Sequence, residues 1–350
     1  MRTATVIDAD AFVHARHRGA TMLRRREFMT LLAGATAAWP LPAHAQQRSR
    51  ISKVGVLWHA ANAEEEGPLF KGLLEGFRTL GYVDGRNISL EHRFPNEIPE
   101  RFKRMATELV DLNVDALVGA ATQAALALRD ASKTIPIVFM FIPDPILTKL
   151  VDSLGRPGGN VTGLSNFSSD LIGKRLQLLK EAIPRLSRVA LLVNPDSQIS
   201  RRYIEAAQAA APALGLTIQA FEVRLLDEFE PAFDAMARAA MQAVSINADG
   251  LIYQAKEMVA KLALARRMAL VAYSRETFDA GAVMSYGPDN IQTTHRAAAL
   301  VDRILKGAKP GDLPVEQPTK FELGINLRAA KTLGLTIPQS VLVRADHVIQ

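Results

Sequence analysis

The chain of 350 residues contains no cysteine. That absence excludes disulfide frameworks, cysteine-ligated zinc, iron–sulfur clusters and thiol nucleophiles together. Histidine is sparse as well. Beyond residue 45 it occurs at His59, His92, His295 and His347, spaced too widely for a local metal motif. The sequence also lacks a G-x-x-x-x-G-K-[ST] phosphate loop: ahead of Gly173-Lys174, Ser168 stands where the first glycine belongs, and Arg175 where Ser or Thr belongs. Gly163-Leu164-Ser165-Asn166-Phe167 misses the closing glycine of a nucleophile elbow. No G-x-G-x-x-G follows the first strand-like run, where Gly55 is alone, and Gly158-Gly159 precedes a strand rather than a helix. The expectation is a protein that is not an enzyme and uses neither cofactor nor metal.

An excess of one charge is also missing from the main body. The formal charge is +6, but the first 45 residues hold six Lys and Arg against Asp8, Asp10 and Glu27. The remainder carries 36 basic and 33 acidic residues, interspersed, which gives no electrostatic footprint for nucleic acid.

The N-terminus has the order of an export signal. Arg24-Arg25-Arg26-Glu27-Phe28-Met29 leads into the apolar run Met29–Trp39, and Ala43-His44-Ala45 supplies the small-x-small pattern that a signal peptidase reads. The run is too short to span a bilayer. Cleavage after Ala45 is expected, leaving Gln46 first and a soluble periplasmic protein that does not span the membrane. The paired arginines followed by x-Phe resemble a twin-arginine signal. Residues 1–21 show no apolar periodicity, and Met22 is an alternative start.

From Lys53 onward, short β-branched runs alternate with segments of helical period, the pattern of parallel sheets with crossover helices. Strands are expected at 53–59, 88–94, 116–120, 137–141 and 161–165, with helices at 69–81, 100–112, 123–132 and 146–154. A second unit follows the helix 170–183: strands 188–194, 217–223, 242–247 and 269–273, helices 203–214, 228–241 and 252–267. Strand 282–286, helix 293–306 and the stretch 321–335 are too small for a third domain and must complete the other two. The fold class is therefore α/β, with two doubly wound parallel-sheet lobes: residues 51–165 with 281–315, and 166–280 with 316–350. No flexible linker separates them, so the join near Ser165–Asp170 reads as a hinge.

In open parallel sheets, ligands bind beyond the carboxyl ends of the strands. The first lobe offers Trp58, His59, Asn62 and Glu64, then Ala121-Thr122-Gln123, Asp144 between two prolines, and Thr162 to Asn166, including Ser165. The second offers Asn194, Asp196, Asn247, Asp249, Tyr273, Ser274, Ser285, Tyr286 and Asp289. Neutral hydrogen-bonding groups and rings suit a small organic ligand. Each has a plainer explanation: Thr122 and Asn194 as helix N-caps, Glu64-Glu65-Glu66 as a complement to a helix dipole, Asp144 as a turn former, Trp58 as core, His59 as a hydrogen-bonded surface group.

Ile135-Pro136-Ile137-Val138-Phe139, Asp144-Pro145 and Pro157-Gly158-Gly159-Asn160-Val161-Thr162-Gly163 resemble, in order and spacing, the ABC substrate-binding family that includes tryptophan- and tyrosine-type binding proteins. The blocks 282–287, 301–307 and 313–318 agree. The resemblance implies the type I periplasmic binding protein fold with three lobe crossings. It also implies capture of a small molecule for an ABC permease and its ATPase, by a protein expected to be a monomer. Residues 242–254 depart from the family's usual proline-containing loop. Repressors of the lactose type share this architecture but require a DNA-binding helix-turn-helix ahead of the first strand, where a signal stands here. An exported sensor that presents its ligand to a membrane receptor is the alternative.

Overall fold

The computed structural model describes residues 51–166 and 170–350. The expected signal, and residues 167–169 of the expected hinge, lie outside the described residues.

The first lobe opens with β1 (Ser52–Leu57), the short α1 (Ala63–Glu66), α2 (Pro68–Thr79), β2 (Ile88–Arg93), α3 (Pro99–Asp111), β3 (Ala116–Ala120), α4 (Ala121–Ala131), β4 (Ile137–Ile142) and β5 (Val161–Ser165). The strands form one parallel sheet in the order β2-β1-β3-β4-β5. Strands buried on both faces read as continuous apolar runs, as β3 and β4 do. In β1 the alternation sends Val54 and Val56 to one face with Leu69, Leu73 and Phe77 of α2, while Leu57 joins Leu109 of α3 and Leu128 of α4 on the other.

The second lobe contains α5 (Ile172–Ala182), β6 (Arg188–Val193), α6 (Gln198–Ala210), β7 (Thr217–Glu222), α7 (Phe229–Arg238), β8 (Ala243–Ile246), α8 (Gly250–Gln254), α9 (Lys256–Ala265), β9 (Ala269–Ala272), α10 (Arg275–Asp279) and β10 (Met284–Pro288). The chain then returns to the first lobe as α11 (Asn290–Leu305), whose Ala297, Val301 and Ile304 share the core of β1 and α2. Gly72 and Gly76 permit that contact: a Cβ would come within 2.4 Å of Thr294 Oγ1 at one and 2.9 Å of His295 Cα at the other. Finally β11 (Phe321–Asn326), α12 (Leu327–Thr332), α13 (Gln339–Leu342) and β12 (His347–Ile349) complete the second sheet, ordered β12-β11-β10-β9-β8-β6-β7, in which only the β10–β11 pair is antiparallel.

Two expectations need correction. Strand β10 pairs with β9 and β11, so it belongs to the second sheet, and the return to the first lobe comes after Pro288 rather than at residue 281. Residues 146–154 form turns instead of a helix: Asp144 starts a first turn, its Oδ1 accepting from the Ile146 and Leu147 amides, but Lys149 takes a left-handed φ of 55° and the Leu150 amide turns back to Pro145 O, which ends it. The chain passes between lobes after Ser165, after Pro288 and after Glu316, and the last crossing is tied to β5 by Glu316 N to Gly163 O (2.9 Å) and Ser165 N to Glu316 O (3.0 Å). One cluster of buried apolar side chains extends from Val54 and Trp58 in the first lobe to Tyr253 and Tyr273 in the second.

Candidate functional site

The carboxyl ends of β1 to β4 face those of β6, β8 and β9 across a cleft of about 240 Å³. The first lobe supplies His59, Glu97, Ala121, Thr122, Gln123 and Phe141, while the second supplies Asn194, Asp196, Ser197, Gln198, Asp249, Gly250, Tyr253 and Tyr273. Asn290, the first residue of α11, also lines it. No Lys or Arg lines it among the described residues.

Several of these positions are held in backbone conformations that side chains adopt at a cost. Glu97, Ala121 and Phe141 have φ of 52°, 68° and 65°. Such residues persist only where their surroundings over-determine them. For Phe141 the cause is a register shift between Phe139 and Ile142 in the β4–β5 pairing, braced by Asn166, whose Nδ2 donates to Phe141 O at 3.2 Å. The shift turns the Phe141 ring into the cleft wall.

The polar side is dominated by acceptors. Glu66, fully buried, accepts through Oε1 from His59 N (3.0 Å) and Ala60 N (2.9 Å). Its other oxygen lies 3.4 Å from His59 Nε2, while His59 Nδ1 lies 3.3 Å from Glu97 Oε1. Burial alone would push this imidazole down, but the Glu66 and Glu97 carboxylates outweigh it and hold it up at about 9, so His59 is an imidazolium at neutral pH. Across the cleft, burial and then the Glu97 charge push the Asp249 carboxyl up to about 7, although Ile252 N and Asn194 donate to it. Burial likewise raises Glu276, whose Oε2 accepts from Asn290 Nδ2 at 3.1 Å. Tyr253 Oη and Asn290 Oδ1 are buried with no hydrogen-bond partner. Buried polar atoms are normally paired, so unpartnered ones lining a cavity mark where a ligand would bind.

Two helices of opposite lobes end at the cleft without side-chain caps: α4, preceded by Ala120, and α6, preceded by Ser197. First-turn amides of both are available to an anion, except Ser200 N of α6, which donates to Ser197 O at 3.0 Å.

Of the residues expected from sequence, His59, Thr122, Asn194, Asp249 and Tyr273 meet in this cleft. The others lie elsewhere. Trp58 is fully buried and donates from Nε1 to His92 Nδ1 at 3.1 Å, because β1's alternation points it inward with Val54 and Val56. Asn62 caps α1 through Oδ1. Thr162 donates to Leu313 O at 2.7 Å. Ser165 donates to Pro143 O, and with Asp144 it lines a neighbouring groove, where Asp144 pairs with Arg202 of α6. Tyr286 packs against Phe321 with the rings tilted by 32°, and its carbonyl accepts from Arg175 Nε. Glu97, Tyr253 and Asn290 escaped sequence reading. Glu97 follows β2, where the strand-exit rule would have found it. Asn290 opens α11 one residue past Asp289, within reach of the same rule, whereas Tyr253 sits inside α8, where no local signal points to a ligand.

The matching solved structures have the same two-lobed architecture. One, a conserved domain protein from Vibrio cholerae, is 31% identical with a TM-score of 0.80, covering 85% of this chain and 100% of that one. A Streptococcus pneumoniae ABC domain in complex with L-Trp is 28% identical, also with a TM-score of 0.80, covering 85% and 99%. A curated tyrosine-binding protein of Clostridioides difficile is 26% identical over 266 residues, 76% of each chain. Residues 62–349 match the profile of the ABC transporter substrate binding proteins, and the chain belongs to that family.

Proposed function

We propose that this protein is exported, captures an amine-bearing carboxylic acid of amino-acid size between its lobes, and delivers it to an ABC permease for import. The observation that carries the ligand class is the division of the cleft. Uncapped first-turn amides of α4 and α6 approach from opposite lobes. Glu97, Asp249 and the unpartnered Asn290 Oδ1 supply acceptors. Leu69, Leu126, Phe141, Tyr253 and Tyr273 add an apolar and aromatic wall. A carboxylate suits the first group, an ammonium the second and a hydrophobic side chain the third. The volume, below the roughly 300–1,000 Å³ of drug-sized pockets, limits the ligand to one small molecule. The family relationship supports the transport role, the relatives that bind tyrosine and tryptophan support the ligand class, and the order of residues 24–45 supports export.

The test begins with protein recovered from the periplasm of expressing cells. Mass spectrometry is expected to find Gln46 first, and the same preparation is screened by thermal shift against amino acids and against aromatic acids without an amine. A ligand present at a hundredfold its Kd stabilises the native state by about 2.7 kcal/mol. Shifts are expected from one or more amino acids. Retention of uncleaved chain in the membrane fraction would reject export, and shifts from amine-free acids alone would reject the ligand class.

A further inference from the structure

We propose that Glu97 and Asp249 form a cross-lobe carboxylate pair holding one cationic hydrogen in the closed cleft: a proton when the cleft is empty, the ligand's ammonium when it is filled. The inference rests on this cleft being the ligand site.

The pair is split between lobes, Glu97 following β2 and Asp249 following β8. Closure presses them together. A Cβ on Gly250 would fall 1.9 Å from Glu97 Oε1, so the Glu97 carboxylate lies directly on the backbone next to Asp249. Glu97 is fixed from behind, its amide donating to His59 O at 2.9 Å. The surrounding charges do not balance. In the first lobe His59 is the cation, shared between Glu66 and Glu97. In the second lobe Asp249 meets the Asn194 side chain and the α8 amides, with Asp196 also lining the cleft. Behind it Tyr253 and Tyr273, both raised by burial and by the Glu276 charge, keep their phenolic protons. Lys256 lies over the Tyr253 ring, 4.6 Å from its centroid, near enough for its charge to act against that of His59, but it does not line the cleft. Glu66, Glu97 and Asp249 therefore share one imidazolium, with Lys256 the next cation behind Tyr253, and closure with all three ionised is opposed by like charge.

A hydrogen carrying positive charge removes that opposition. Asp249 reaches about 7 in the closed cleft through burial and then the Glu97 charge. Opening returns it to water and to the ordinary aspartate range near about 4. The closed state thus takes up a proton. Acid favours closure, and the advantage is lost as pH rises through about 7, by up to about tenfold in the closed-to-open ratio per pH unit.

Small-angle scattering of ligand-free protein at about pH 5 and about pH 8 reads this directly. The wild type is expected to be more compact at the lower pH. Asp249→Asn and Glu97→Gln, which remove the like-charge contact, are expected to be similarly compact at both, and Gly250→Val, whose side chain displaces Glu97, expanded at both. Circular dichroism establishes that each variant is folded, and either carboxylate variant alone suffices. Equal wild-type radii, or a pH step that survives in the carboxylate variants, would overturn the proton-holding pair. At about pH 8, methylammonium chloride is expected to compact the wild type but not Asp249→Asn, relative to equal sodium chloride. No difference between the salts would overturn the ammonium half. None of these measurements uses the transported ligand, so a failed ligand screen beside an intact pH step would reject the ligand reading alone.

Discussion

His59 illustrates how one residue can be structural and still shape the site. It is buried with Glu66 behind it and Glu97 in front, and the edge of its ring meets Tyr253 of the other lobe at 5.2 Å. Replacing it with leucine strands Glu66 as a buried carboxylate without a cation, a change that costs about 3–5 kcal/mol in comparable pairs. The imidazole is raised above its ordinary 6.5 to about 9. Its contribution to stability is complete below the ordinary value and is lost as pH rises through about 9. Urea unfolding between about pH 6.5 and pH 9.5 is therefore expected to show falling stability in the wild type and a flatter profile in His59→Gln. The Asp249 contribution falls as pH rises through about 7, so it overlaps only the lower end of this range and is shared by both proteins. Identical slopes in both proteins would remove His59 from the account.

At the scale of elements, the strands were the legible part. Ala116–Ala120 is a short apolar run and Val161–Ser165 follows the turn residues 155–160, and the observed limits of both coincide with the expected ones. Trp58 was legible too, had period two been carried one residue past β1. The segment 146–154 was not, since the turn that Asp144 caps stops at Lys149, whose left-handed backbone is not written in the helical periodicity. Membership of β10 in the second sheet depends on partners distant in sequence, which local pattern does not encode. The same holds for the site, where the irregularity in β4 that presents Phe141 leaves no trace in the run Ile137–Ile142. That irregularity makes a specific prediction. With φ at 65°, position 141 favours glycine over alanine, the reverse of the ordinary strand preference. Phe141→Gly is expected to be more stable than Phe141→Ala by about 1 kcal/mol in denaturant midpoints. Alanine proving the more stable would mean that the backbone relaxes when the ring is removed.

Contacts outside the cleft also tie the two lobes together. Arg202 of α6 reaches Asp144 of the first lobe and also pairs with Asp170 at 2.9 Å, while Gln254 donates to Asn96 between the lobes. The Arg202 side chain is 45% exposed, and pairs this open to water contribute about 0–1 kcal/mol. Removing it can lower the closed-to-open ratio by no more than about fivefold. Apparent affinity scales with the fraction of protein in the binding-competent form, so Arg202→Ala is expected to weaken ligand binding by at most about fivefold, with little change in melting temperature. The same logic separates two roles for Asp144. If it acts through Arg202, Asp144→Asn reproduces the Arg202→Ala loss, and the double variant is no weaker than either single one. If it touches the ligand, as its place between two prolines beyond β4 led us to expect, its loss persists undiminished in the Arg202→Ala background. Calorimetric titration of the four proteins measures the coupling. An additive double variant would rule out closure as the route, and a hundredfold loss from Arg202→Ala alone would mean that the guanidinium itself contacts the ligand.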